Sequence, residues 1–497
     1  MTFNTIAQAA PMVTYLALTP YLIGHLGVDR FGVWSLITIF VFALSVLDGG
    51  VGASLARFYA FYGAKNDREG TGRLIIGSLT VFLILGILVT TASLVCAPTV
   101  VAALSIPEGL SAETQQLLLL LGPLVTLALA SNSATALLQA HARFRGLAAV
   151  SAGSCAAYAV GVMLLIDRGG DLPLLALLAA GRYMLLLFGG LCLEIRHIRI
   201  RRPLLPDATT RRDFGGYALR MQLSGITVFV NLQIDALVIA AMLPVRYVGI
   251  YAVGAQVADA LRNLPMYAFP PMLTRMTRVY AKHGLTGAAR EFHALQSRWL
   301  PSVLTYGVVT TVAVGIAVQV WLGTGFALSG AVAAILTAGY VTHVTLTGMR
   351  TCFVRAIGRP GYETRYSWCV TAVNLALTVP LAMLFGVVGV VLATAISHMA
   401  GSVYFVVLCR RLAGLRERPL PRRWLPATML GAALAGLGDL LILRLGWHGV
   451  PALLLAGLPI LVGLAVASAL VLRDLTQSMH TLQAPETDVP AARRIRK

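Results

Sequence analysis

Long apolar runs, each bounded by charged residues or by Gly/Pro clusters, follow one another along almost the whole chain. They lie near residues 5–24, 32–60, 74–98, 116–140, 148–166, 173–193, 216–243, 248–272, 299–321, 329–350, 367–385, 388–408, 426–444 and 450–472. A helix rises 1.5 Å per residue, so crossing about 30 Å of hydrocarbon takes about 20 residues, the typical length of these runs. The pattern predicts an all-α polytopic membrane protein with about 14 transmembrane helices. Pro11, Pro20 and several polar residues interrupt the first run, as happens in helices that line a cavity. That run lacks the positive n-region and small-residue cleavage site of a signal peptide, so it is expected to be retained as a span.

Composition agrees: 58% of the 497 residues are hydrophobic and 12% are charged. A soluble fold carries roughly a quarter charged residues to coat its surface, which excludes an ordinary soluble enzyme and leaves no room for a large soluble domain. The net charge of +19 would raise nucleic-acid binding in a soluble chain, but its distribution gives another cause. Alternate connections 61–73, 141–147, 194–215, 273–298, 350–366 and 409–425, with the tail from Arg473, hold 31 of the 39 Lys and Arg residues. The opposite connections hold Arg30, Arg168, Arg246 and Arg444, together with Asp29, Glu108, Glu113, Asp167 and Asp171. By the positive-inside rule the basic connections and both termini are expected on the cytoplasmic side, and no nucleic-acid partner is implied. The six cysteines are scattered without metal-site or disulfide spacing and read as small packing residues.

An internal repeat is visible. Tyr21-Leu-Ile-Gly-His-Leu-Gly-Val-Asp-Arg-Phe-Gly-Val-Trp-Ser aligns with Val238-Ile-Ala-Ala-Met-Leu-Pro-Val-Arg-Tyr-Val-Gly-Ile-Tyr-Ala, placing Gly32 over Gly249 and Trp34 over Tyr251. Arg143-Phe-Arg-Gly and Ile357-Gly-Arg-Pro match at nearly the same offset. An even number of spans separates the copies, so the repeat is parallel, with its axis along the membrane normal. This divides the chain into two pseudo-symmetric six-helix lobes, 1–193 and 216–408. A basic linker, 194–215, joins them. Two further helices, 409–472, and a tail, 473–497, of disordered composition follow.

Leu26-Gly27 with Phe31-Gly-Val-Trp34, then Leu47-Asp48-Gly49-Gly50-Val-Gly52-Ala-Ser-Leu-Ala-Arg57-Phe-Tyr-Ala, resembles the opening of the Wzx-type polysaccharide flippases, members of the superfamily that includes the multidrug and toxic-compound extruders. Gln233-Ile-Asp235-Ala-Leu-Val-Ile with Val248-Gly-Ile-Tyr251-Ala resembles that family's seventh and eighth spans. Phe385-Gly386-Val-Val-Gly389-Val-Val-Leu-Ala-Thr394 resembles its tight eleventh-to-twelfth turn. The likeness covers nearly the whole chain, and the lipid-II flippase branch looks less similar. The resemblance implies a transporter of the bacterial inner membrane that moves undecaprenyl-diphosphate-linked oligosaccharide units from the cytoplasmic to the periplasmic leaflet for export polysaccharide such as O-antigen. Its expected partners are that cargo, membrane lipids and other polysaccharide-assembly proteins.

Charged side chains in a span are costly and usually face a cavity or one another. Arg182 lies near the middle of run 173–193 and Arg262 deep in run 248–272, with Arg220 and Arg57 nearer the basic ends of their spans. Forked, permanently charged guanidinium groups suit a diphosphate, giving a cationic central cavity. The alternatives are pairing of Arg262 with Asp259 at i−3 and interfacial anchoring for Arg57. Asp235 and Asn231 offer donors and acceptors for sugar hydroxyls, or else helix-to-helix hydrogen bonds. Asp48, before glycines, and Asp259 are candidate coupling carboxylates. Asp48 equally suits a broken helix, and His343 and His398 suit either proton transfer or packing. Pro265, Pro270 and Pro271 should kink the eighth span, as a hinge or as curvature without motion.

No Gly-rich loop ending in Gly-Lys-Ser/Thr occurs, so no nucleotide cofactor is expected, and no metal-binding spacing or nucleophile arrangement stands out. Two rivals remain: a cation-coupled multidrug exporter binding its cargo through carboxylates, and a membrane-embedded enzyme of polysaccharide assembly.

Overall fold

The computed structural model describes residues 2–46, 48, 51–64, 66–103, 106–199, 233–266, 268–359, 361–413 and 424–445, with a few isolated positions between 214 and 222. Arg220, Asn231, the fourteenth run, most of the 194–215 linker and the 473–497 tail lie outside the described residues, as do the side chains of Arg57 and Pro270. Among the described residues there is no strand. Helices α1 (Thr2–Val46), α2 (Val51–Ala64), α3 (Arg68–Ala103), α4 (Glu108–Leu119), α5 (Leu121–Ala140), α6 (Phe144–Ile166) and α7 (Leu172–Glu194) form one set. Helices α8 (Gln233–Met242), α9 (Arg246–Met266), α10 (Phe269–Leu322), α11 (Ala327–Ala356), α12 (Gly361–Ala413) and α13 (Trp424–Leu445) form the other. The chain is a multi-pass membrane protein: eight of these helical stretches are long and apolar enough to cross a bilayer. Their outward faces carry bare apolar side chains, such as Leu83, Ile87, Leu88 and Val95 on α3 and Met383 and Leu384 on α12.

Among the described residues the apolar runs lie on helices, with instructive departures. Run one and the first part of run two form α1, bent at Gly27, and runs eleven and twelve form α12, turned at Gly386. Both glycines have positive φ, 78° and 58°, a conformation that costs a side-chain-bearing residue dearly. Run 32–60 is not one helix, because the Asp48-Gly49-Gly50 segment separates α1 from α2. Run 248–272 is likewise interrupted rather than merely kinked: α9 ends one residue after Pro265, and α10 restarts at Phe269 with proline in its first turn, where a missing N–H costs nothing. The basic connection 273–298 is helical, not a loop. It forms two arms of α10 that meet at Gly284 and are clamped by an Arg275–Glu291 ion pair of 2.5 Å.

Within the first set, α5 packs on α2, α3 and α7, and α6 packs on α1 and α7. In the second, α11 is the central helix, against α9, α10 and α12. The two sets meet along α1 and α9. There the glycines aligned by the repeat face each other. A Cβ on Gly32 would stand 2.4 Å from the Val245 carbonyl oxygen, and one on Gly249 would stand 3.1 Å from Gly32 Cα. The same end is fastened by Arg30, whose guanidinium donates to both Glu113 oxygens at 3.0 Å while Glu113 also accepts from the Leu172 N–H at 2.8 Å.

Gly32→Val should lower stability by about 1–3 kcal/mol through forced separation of α1 from α9. Gly24→Ala, with open space around its Cβ, should not. Thermal unfolding of the purified variants checks this; equal melting temperatures would deny the close approach.

Candidate functional site

A cavity of about 460 Å³ lies within the first helix set, lined by α1, α5 and α7, and is bordered from the second set by Ala252 and Gln256 of α9. Tyr15, Thr19, Ser35, Thr38, Asn132 and Gln256 supply its polar atoms, and Phe31, Trp34, Phe42 and Tyr183 its aromatic walls. The Thr19 hydroxyl reaches Gln256 Oε1 across the junction at 3.4 Å. Of the four arginines expected at a cationic cavity, Arg182 and Arg262 are described with their side chains, and neither is among its lining residues.

Arg182 stands next to it. Its Nη1 lies 3.5 Å from the Tyr15 hydroxyl, and its guanidinium sits 5.8 Å and 5.6 Å from the ring centres of Tyr15 and Tyr183, two residues that line the cavity. Among the described residues no carboxylate pairs with it. Aromatic faces thus hold the cation without neutralising it. Arg262 differs. Its Nη2 is 3.1 Å from Asp259 Oδ1, the i,i+3 pair anticipated as the alternative, and its guanidinium lies 4.7 Å from the Tyr340 ring centre. Behind it, in the second set, the His343 ring stacks 5.4 Å from Tyr366, hydrogen-bonds its hydroxyl at 2.7 Å, and lies 4.7 Å from the His398 ring.

Asp235 does not face the cavity. It is 3% exposed inside the second set, where its carboxylate accepts from the Thr394 hydroxyl and from Tyr251 at 3.4 Å. Asn374 donates to Thr394 Oγ1 at 2.9 Å, and the Thr378 hydroxyl reaches Asn374 Oδ1 at 3.3 Å. A single carboxylate among neutral oxygens suits neutralisation by a proton or a small monovalent cation better than contact with a sugar. Asp48 is buried, and its Oδ2 accepts from the Gly52 N–H at 2.6 Å, capping the first turn of α2. That bond gives Asp48 a structural task at the helix break.

Two features escaped the sequence. Arg350, counted with a basic loop, is instead inside α11 and 2% exposed, near the Phe292 ring. At the end of the bundle that carries the basic connections, His141, Glu194 and His197 converge, with Arg143 Nε 3.1 Å from Glu194 Oε1. Neither has a local signature: Arg350 sits at the edge of an apolar run, and His141 is distant in sequence from Glu194. Of the cysteines read as packing residues, Cys155, Cys352 and Cys409 are buried while Cys96 and Cys192 are exposed on the bundle's surface.

No family model and no curated protein matches the chain. Solved structures do. An inward-facing multidrug resistance MATE family transporter of the MOP superfamily superposes with a TM-score of 0.67 at 13% identity, covering 83% of this chain and 98% of its own. The lipid II flippase MurJ, in an inward closed conformation, gives 0.69 at 12% identity over 96% and 100%. At the level of fold that branch therefore spans more of the chain than the extruder does, although its motifs look less similar. A MOP superfamily transporter from Pyrococcus furiosus, described as having a binding pocket of reverse polarity, gives 0.51 at 14% identity over 84% and 95%. The chain has the fold of the MOP-superfamily transporters.

Thr394→Val should destabilise the second helix set by about 1–3 kcal/mol, because it strips a donor from a buried carboxylate, and Asp235→Asn combined with it should recover part of that loss. Melting temperatures of the two single variants and the double variant check the coupling; strict additivity would place Asp235 outside the oxygen cluster.

Proposed function

We propose that this protein is a flippase that carries a lipid-linked anionic cargo, an undecaprenyl-diphosphate-linked oligosaccharide, from the cytoplasmic to the periplasmic leaflet of a bacterial inner membrane, by alternating access between two lobes formed by the two helix sets. The observation that carries this reading is Arg182: a permanent charge midway along the apolar helix α7, held by tyrosines beside a polar cavity and without a carboxylate partner among the described residues. Such a guanidinium, held by neutral partners, can turn its forked donors to phosphate oxygens. The neutral amides and hydroxyls of Asn132, Gln256, Thr19 and Thr38 suit sugar hydroxyls, and the lipid tail stays in the bilayer beside the lobes. Outward movement of negative charge is assisted by an inside-negative potential, by about 2.3 kcal/mol per charge per 100 mV. Arg57 and Arg220 would extend the cationic path toward the basic end, Asn231 would add an amide to it, and the Pro265 and Pro270 break between α9 and α10 would provide the hinge.

A second reading is favoured by the aromatic, uncharged lining of the cavity, with Phe31, Trp34, Phe42 and Tyr183, which suits an amphipathic cation as well as a sugar. In that exporter, the Asp235 cluster would be the coupling site and Arg182 would be dispensable.

The two separate in a host deleted for the gene. At matched membrane levels the unmodified chain should restore exported polysaccharide, Arg182→Ala should abolish it with lipid-linked units accumulating, and Arg182→Lys, which keeps the charge but loses the fork, should restore it in part. Normal polysaccharide in the deletion with heightened sensitivity to cationic drugs would replace this reading with the exporter.

A further inference from the structure

Glu194 ends α7 with its side chain fully buried, although its neighbours in sequence run out to the surface. A buried carboxylate demands compensation. One oxygen, Oε1, faces Arg143 Nε at 3.1 Å. The other, Oε2, is approached by two imidazole nitrogens at once, His141 Nδ1 at 2.6 Å and His197 Nδ1 at 3.3 Å. The His141 contact is a hydrogen bond, but the His197 Nδ1 atom is buried and makes none. His141 comes from the turn after α5, and the turn Ile195–His197 brings His197 back over Glu194, so three donors from two chain segments point at one spot. His141 and His197, with Arg143, border a pocket of about 380 Å³ whose other walls include Tyr62, Asn66, Asp67 and Arg68.

We infer that His141, Glu194 and His197 form a binding site for a divalent transition-metal ion of the zinc class, which staples the end of α7 to the α5–α6 turn. Two imidazoles and a carboxylate are a donor set that zinc takes readily, with a fourth position left for water. Bonds of about 2.0–2.2 Å at tetrahedral angles put donor atoms about 3.4 Å apart. The His197–Glu194 separation already matches that spacing, and the His141–Glu194 separation reaches it by a small side-chain rotation. The pocket supplies room for the fourth ligand. Arg143 on Oε1 acts as the outer partner that fixes the carboxylate, and Gly63 of α2 lets the His141 ring close in, since a Cβ there would meet His141 Nε2 at 2.9 Å. Arg182 lies on the same helix, about 18 Å before Glu194 at 1.5 Å per residue, so the ion sets the axial position of the helix that carries it. The site stands independently of the identity of the cargo.

The test uses the full chain in detergent, purified without a polyhistidine tag, stripped with a chelator and equilibrated with micromolar Zn²⁺, with bound metal counted by mass spectrometry. The unmodified chain and the remote variant His25→Ala should take up about one ion per chain and melt at a higher temperature with Zn²⁺ than without. His141→Ala and His197→Ala should lose both effects, with affinity falling by more than the roughly 10–100-fold that loss of an outer partner causes. His197 is partly exposed, so its variant keeps the fold if His141→Ala does not. A stripped chain that takes up no Zn²⁺, or a His197→Ala variant that binds as tightly as the unmodified chain, overturns the site.

Discussion

The backbone-to-backbone approach of α1 and α9 at Gly32 and Gly249 is the contact on which the arrangement of the two helix sets depends. At a two-fold axis each position meets its own equivalent, and the two glycines that the internal repeat aligns are the ones that touch. Without side chains, the helices come close enough for their faces to seal against each other at the acidic end, backed by Val245, Val248 and Tyr251. Farther along α9, Gln256 meets the Thr19 hydroxyl of α1 at 3.4 Å, and both border the cavity.

Charge in this molecule is sorted by what it can pair with. At the ends, arginines meet acids directly: Arg30 with Glu113, Arg275 with Glu291, and Arg355 with Glu363 at 2.5 Å. Inside, Arg262 is matched by Asp259, while Asp235 is enclosed by hydroxyls and an amide. Arg182 alone among these lacks a matching charge, and aromatic rings rather than acids hold it. A membrane protein tolerates such a charge at depth where something transient completes it, so the proposed cargo site and the proposed neutralisable carboxylate fall in opposite helix sets.

Much of this was legible in the chain because the bilayer imposes a simple ruler. Run length marked the described helices, and the i−3 spacing announced the Asp259–Arg262 pair. The glycines before α2 signalled a broken helix, and Gly386 a tight turn. Hydropathy measures membrane thickness, not helix length, which is why α10 continues through a basic stretch read as a loop and why Arg350 was placed outside when α11 in fact carries it on into a packed core. Contacts between distant segments left no trace: Thr394 and Asn374 around Asp235, Tyr15 beside Arg182, and His141 opposite Glu194 meet only through the fold.

The most direct measurement uses the purified chain in liposomes carrying a fluorescent oligosaccharide on an undecaprenyl diphosphate, with a membrane-impermeant quencher reporting the leaflet. The account predicts that the diphosphate-linked lipid crosses between leaflets, whereas the same sugar on an uncharged lipid anchor stays where it was placed. Equal crossing of both lipids, or of neither while a cationic amphiphile is moved, would contradict an anionic cargo held at Arg182.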